Sequence, residues 1–561
     1  MAILLGLLAG VAAWAFRLLI GLIHNLAFFG RFSTHYDANL HTPTSSWGWL
    51  VIFVPVIGGI AVIWLVKNFA PEAKGHGVPE VMAAIHYQRG RIRGVVSVAK
   101  AIASAITIGT GGSLGREGPI VQISAAFSSV LAQWMKWPAS QRNLLIACGA
   151  SGGIAATFNA PLGGILFSIE LLLLSVNSFT VLPVIISSVI AANLGRYLIG
   201  PEPAFHVPAA SLEADVNNPL TLALYFPFGA VMGLVALVFI KGVYWSESWF
   251  ESLPLGPYRR HMLGMLALGL LLYGLHQWTG HYYVQGVGYG TIQDILSGTL
   301  SSPMLILLLL GAKLLATFLT IGSGGSGGVF SPSLYLGAAV GGFCGTALAA
   351  LFPGMGIDPL TMALTGMAAM VAATTSAPMT AAIMTYEMTL DYVVVLPIML
   401  GVATAYSVRH HFSKGDVYTL KLIRRGQPIP HGFHADVSSQ IVVNDIMDST
   451  VEFAHADDIV TGGEESYCIL DEDNKAIGVV NPVNYRNGVD FRAQDAMQKG
   501  FIPIKSGTTL REVLREMDEH SCATAVVTTD GSLDADAIIG VFNSVHLQRV
   551  MAEVWRMRVH A

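Results

Sequence analysis

Three glycine-rich stretches hold the residues best placed to do chemistry: KGHGVPE at 74–80, GSLGREGP at 112–119 and GGSGGVFSP at 324–332. Glycine lets the backbone bend in each of them where a side chain would clash. Each also carries a proline near an expected helix start, where its missing N–H costs nothing. The pattern predicts several helix N-termini with unsatisfied N–H groups and partial positive charge. Aimed at one point, such ends bind an anion without a full cation. Binding of that strength suits a pathway, because an ion held by bare lysine or arginine would leave too slowly.

The elements carrying these bends have the composition of membrane helices. The 561-residue chain is 53% hydrophobic and 12% charged, with mean hydropathy +0.58. A soluble domain carries about a quarter charged residues. Apolar stretches recur at 3–29, 47–70, 94–110, 119–135, 144–176, 180–200, 221–243, 262–277, 303–321, 333–352, 360–388 and 392–407. Met1 leads straight into the first, whose length suits a span rather than a short signal core. Irregular backbone at membrane depth survives only inside protein or beside a water-filled cavity, so the breaks are where function is expected.

Charge divides the chain. Residues 429–561 hold 21 acidic and 10 basic side chains, against 15 and 21 in the remainder. The expected organisation is a membrane domain over 1–428 and a soluble domain over 429–561. Cys148, Cys344, Cys468 and Cys522 stand alone, which fits buried thiols and suggests neither disulfides nor a zinc site.

A weak repeat runs through the membrane part. In each half a glycine-rich break and a proline (Pro119, Pro332) precede an [NS]-A-P helix start (Pro161, Pro378) that reaches a glutamate (Glu170, Glu387). Duplicated halves with matching interruptions, about 1–205 and 206–428, predict a binding site near the bilayer midplane. The plainer reading is that Gly and Pro are common in membrane helices. Glu117, beside Gly118 in the second break, is costly there and functional by default. Its carboxylate also imitates the anion it would displace; the alternative is a surface pair with Arg116.

With GSLGREGP, GGVFSP, KGHGVPE and two AP-initiated helices in this order, nearly the whole chain resembles the CLC family of chloride channels and proton-coupled chloride antiporters. The tail is similar to a pair of CBS domains. The resemblance implies an all-α polytopic domain of two inverted repeats with broken helices, followed by a small α/β CBS-pair domain. It implies a homodimer in lipid with one pathway per subunit, and chloride, other small anions and protons as ligands. No enzymatic activity, cofactor, metal or nucleic-acid partner is expected. The expected location is the bacterial inner membrane with the tail cytoplasmic. Arg409, Lys414, Lys421, Arg424 and Arg425 beside the last membrane helix fit the positive-inside rule.

For individual residues, the resemblance makes Glu117 the gate and proton acceptor. It puts the anion against Gly77, Gly115, Arg116 and Gly118, the N–H groups of Val329 and Phe330, and the hydroxyl of Tyr418 in KGDVYTLKL. Position alone leaves Tyr418 equally an aromatic-belt anchor.

Two departures stand out. His76 occupies the place where the family usually has a serine hydroxyl on the anion. An imidazole donates one N–H when neutral and two when protonated, so anion binding here is expected to depend on pH. The alternative is a ring turned away, with Gly75 or Gly77 backbone taking over. The family's internal proton-transfer position falls on Leu171, next to Glu170. An apolar side chain cannot relay a proton, which favours a voltage- or pH-gated chloride channel. The alternative is a proton-coupled chloride antiporter, with Glu170 or a water wire substituting.

Other signals carry less. Gly111–Gly115 fits the G-x-S-x-G nucleophile elbow, making Ser113 the nucleophile of an intramembrane hydrolase, but that motif needs a preceding strand and His and acid partners. His410 and His411 suit terminal carbonyls or headgroups better than a metal. The tail alternates strand and helix signals in two related halves, with an amphipathic helix at 508–520 and a first half shortened around 451–466. Asn484 and His546 stand where a nucleotide-binding CBS pair would carry aspartates, so a dimerising role is expected of it rather than adenine-nucleotide sensing.

Overall fold

A computed structural model describes residues 1–173, 176–207, 218–389, 392, 394–429, 442–461, 466–480 and 490–543. The chain divides into two compact units, Met1–Ile429 and Pro430–Ala561.

The first unit is helical. Its first half runs through α1 (Ala2–Phe29), α2 (Val54–Phe69), α3 (Val78–Tyr87) and α4 (Gly94–Gly109). It continues with α5 (Glu117–Trp134), α6 (Ala139–Phe158), α7 (Pro161–Leu171) and α8 (Ser178–Ile199). A short α9 (Pro219–Ala223) leads into α10 (Tyr225–Ser252), α11 (Pro257–Thr279), α12 (Tyr289–Leu296) and α13 (Pro303–Ser323). Then come α14 (Phe330–Leu351), α15 (Pro359–Thr375), α16 (Pro378–Thr389), α17 (Val395–Phe412) and α18 (Thr419–Arg424). Among the described residues, six helical segments are long and apolar enough to cross a membrane, from Ala2–Phe29 to Phe330–Leu351.

The halves repeat each other helix for helix. α5 packs on α6 as α14 packs on α15, α1 on α8 as α10 on α17, and α2 on α4 as α11 on α13. The repeat closes on itself at α7 and α16. Near the end of α7, Glu170 accepts hydrogen bonds from the Met379 and Thr380 N–H groups (2.9 and 2.7 Å) at the start of α16. Near the end of α16, Glu387 accepts from Leu162 and Gly163 N–H (3.0 and 2.7 Å) at the start of α7. Each carboxylate thus meets the positive end of the other helix. These reciprocal contacts make α7 and α16 antiparallel, as an inverted repeat requires.

The apolar runs 144–176 and 360–388 are each split between two helices. The run 144–176 breaks at Asn159 (φ 57°) and the run 360–388 at Ser376 (φ 59°). Both residues are left-handed helix caps, and the Ala-Pro that follows each disfavours continuing the helix. Helices α3 and α12 lie outside every apolar run. At 10 and 8 residues they are too short to span a bilayer.

The tail contains β1 (Val451–His455), β2 (Ile459–Thr461), β3 (Ser466–Leu470), β4 (Ala476–Val480) and β5 (Asp490–Arg492). After α19 (Ala493–Ala496) come β6 (Phe501–Lys505), α20 (Leu510–Glu519), β7 (Thr524–Thr528) and β8 (Ile538–Asn543). β1 runs parallel to β3, which pairs antiparallel with β4, and β6, β7 and β8 repeat that order. This two-part α/β unit is consistent with a CBS-like pair. Thr509 and Glu512 close a capping box on α20, whose Leu510, Val513 and Met517 pack onto Ile502, Val527 and Phe542. The first half joins its parallel strands through β2, with no helix among the described residues. Asn484 and His546 lie outside the described residues.

Candidate anion pathway

The three glycine-rich breaks meet through their backbones. Gly115 and Gly328 exchange two N–H···O bonds of 2.7 Å. Gly75 N–H donates to the Gly325 carbonyl, and the Gly75 carbonyl accepts from Gly327 N–H, both at 3.2 Å. Side chains follow the same pseudo-twofold: Thr320 Oγ1 accepts from Ser113 N–H (3.2 Å) and Thr107 Oγ1 from Ser326 N–H (3.3 Å). This closeness demands glycine. A Cβ on Gly118 would run into the His76 carbonyl oxygen, and one on Gly115 into the Glu117 carboxylate and the Ser331 hydroxyl. Gly77, the N-cap of α3, adopts φ 92°.

The starts of α3, α5 and α14 are thereby gathered, and their first N–H groups lack intrahelical acceptors. Val329 caps α14 and Phe330 opens it; both are buried, and the Phe330 ring packs on Phe158 at 5.6 Å. Glu117, first residue of α5, is 2% exposed. Its Oε1 accepts from the Tyr289 hydroxyl and the Ser331 hydroxyl, each at 2.6 Å, while Oε2 meets no protein donor. Arg116 turns its guanidinium over the Tyr289 ring at 5.4 Å. Among the described residues it forms no ion pair with Glu117, so the surface-pair reading falls. Beside Arg116 lies a cavity of about 320 Å³, lined also by Arg17, Asp37, Asn159, Glu202 and His206.

His76 is fully buried, with neither ring nitrogen on a protein partner and its ring centre 6.2 Å from that of Tyr244, nearly perpendicular to it. The Tyr244 hydroxyl donates to the Val417 carbonyl at 2.6 Å, one residue before Tyr418. Tyr418 is also buried. A belt anchor would face lipid and headgroups, which this side chain does not.

Leu171 ends α7 and is buried. The Glu170 carboxylate also accepts the Thr380 hydroxyl at 2.6 Å, so its oxygens are committed to the start of α16. Ser113 follows a helix rather than a strand, and its hydroxyl has no hydrogen-bond partner. The hydrolase reading therefore lacks its base. Of the basic residues after the last apolar run, Arg409 is buried against Ser413 O and Ser376 Oγ, while Lys421 and Arg425 pair with Glu80.

Four residues at the site escaped sequence reasoning. Lys100 Nζ donates to the carbonyls of Ala73 (3.0 Å) and Gly75 (2.6 Å), bracing the first break. Its repeat partner Lys313 donates to Val284 (3.2 Å) and Gly286 (3.0 Å), bracing the segment before α12. A lone lysine within each of two apolar runs was a legible signal, since buried charge in a membrane is costly. Ser331 stood inside a quoted motif, whereas Tyr289 gave no signal at all.

A family profile described as voltage gated chloride channel matches residues 58–410, well over half of the chain. The chain belongs to this family. It is thus a multi-pass integral membrane protein of the CLC anion-transport family rather than a member of an enzyme family. The H(+)/Cl(−) exchange transporter ClcA of Vibrio campbellii is 32% identical over 67% of this chain and 80% of its own length. The chloride channel protein CLC-f of Arabidopsis thaliana is 28% identical over 98% of this chain and 69% of its own. A slow cyanobacterial Cl−/H+ antiporter of known structure superposes with a TM-score of 0.62 at 25% identity, covering 76% of this CLC chain and 96% of that one.

Proposed function

We propose that this CLC protein exchanges chloride for protons, with Glu117 as the gate and proton acceptor. The observation that carries the reading is the buried Glu117 carboxylate at the gathered starts of α5 and α14. A carboxylate there competes with chloride for one position, and taking up a proton ends the competition. The exchange transporter ClcA and the cyanobacterial antiporter support proton coupling over a simple channel. Chloride would meet the first N–H groups at Arg116 and Gly118, those of Val329 and Phe330, and His76, Gly77 and Tyr418 nearer α3 and α18; Gly115, expected from the sequence to join them, instead gives its N–H to the Gly328 carbonyl. The working form is a homodimer in a bacterial inner membrane with the tail cytoplasmic.

Passive conduction is the second reading, and one observation favours it: the apolar Leu171 beside a Glu170 already committed to α16. Proteoliposomes under an imposed chloride gradient separate the two. Exchange predicts uphill proton movement that Glu117→Ala abolishes while chloride flux persists. A channel moves chloride and leaves protons where they were.

A further inference from the structure

The Glu117 carboxylate rests on two hydroxyls that the exchange scheme leaves without a role. We propose that Tyr289 and Ser331 form a latch, two donors on one carboxylate oxygen that hold the gate in its buried position and set how readily it leaves. The inference rests on Glu117 being the gate and adds the residues that restrain it.

The geometry is specific. Tyr289 opens α12 and Ser331 is the second residue of α14, so the donors come from two helices and the carboxylate from a third, α5. Both bonds are 2.6 Å, and the two hydroxyls are themselves 3.3 Å apart. Glu117 cannot swing without breaking both at once.

Tyr289 is itself held. Its ring sits edge-on to Phe205 at 5.0 Å and beneath the Arg116 guanidinium. One turn along α12, Gln293 exchanges two hydrogen bonds with the His206 backbone (3.0 and 2.7 Å), and Asp294 meets His41 at 2.6 Å. The tyrosine therefore acts from a fixed platform, while the single glutamate side chain is the part free to move. Tyr289→Phe keeps the ring that packs on Phe205, and Ser331→Ala keeps a residue suited to α14, so each removes little beyond the donor.

Chloride efflux from proteoliposomes containing the full-length chain tests the latch. A hydrogen bond to a charged group carries enough free energy that Tyr289→Phe and Ser331→Ala should each raise efflux roughly tenfold. Ser331→Thr, which keeps the hydroxyl, should fall back toward the wild-type rate. In a Glu117→Ala background, which leaves nothing to latch, Tyr289→Phe should change efflux less than about twofold. The latch is overturned if Tyr289→Phe leaves wild-type efflux unchanged or lowers it, or if it has the same effect with and without Glu117. Absence of chloride flux from both wild type and Glu117→Ala would instead remove the transport reading, and the latch with it.

Discussion

His76 brings a fully buried imidazole, bare of protein partners on both nitrogens, to the N-terminal end of α3. A buried polar group without a partner is costly, and an anion at the helix start would repay the cost. We therefore expect His76→Ala to weaken chloride binding roughly tenfold in calorimetry, the loss of one hydrogen bond to a charged ligand. His76→Ser, with its shorter hydroxyl, should recover part of it. Wild-type affinity in both variants would assign the contact to Gly77 backbone, because Gly75 N–H is already given to the Gly325 carbonyl. The departure from serine was plain in the sequence; the ring's lack of protein partners was not, because it depends on Tyr244 and on a break contributed by the other half of the chain.

Among the elements, α7 and α16 are the most informative pair. Each is short, each starts with proline, and each carries the acid that caps the other. Glu170→Ala and Glu387→Ala should each cost about 2 kcal/mol, combining a lost cap with a lost charge at a helix start. Pseudo-twofold symmetry makes the two costs similar, which thermal unfolding in detergent can compare. A large cost for one and none for the other would show that only one cap contributes. The pair also bears on proton coupling. A glutamate beside Leu171 reads in sequence as a substitute relay, but tertiary contact gives its oxygens to Met379 and Thr380. A single residue's neighbours along the chain could not reveal that.

At the scale of the whole molecule, the membrane unit and the tail answer to different physics. The tail's small sheets depend on a dry interior, and Cys468 in β3 sits fully inside it. Burial pushes this thiol up to about 12. In the unfolded chain it would ionise near 8.5. Between those values the unfolded state has lost a proton that the folded state keeps. Tail stability should therefore fall as pH rises from about 8.5 towards 12, by about 1.4 kcal/mol per pH unit from this group. At pH 8, site-resolved mass spectrometry of the alkylated full-length chain should find Cys522, only partly buried, modified well before Cys468. Equal labelling would mean that the β3 interior is open.

What the sequence determined by itself was set by local chemistry. Hydropathy and the late change in charge marked an apolar part and an acidic part, which fold as two compact units. Glycine and proline marked the breaks, since backbone conformation depends on the residue that adopts it. The matched Pro161 and Pro378 starts marked the repeat, and the periodicity of 508–520 marked α20. Tertiary structure decided what required two distant segments at once. It joined Gly115 to Gly328 and Gly75 to Gly325, exchanged caps between α7 and α16, and set two buried lysines beneath the backbone carbonyls they brace. Above all it brought Tyr289, which follows Glu117 by most of a repeat, to within 2.6 Å of it. A hydrogen bond is a statement about distance, and chain order carries none between residues that only folding makes neighbours.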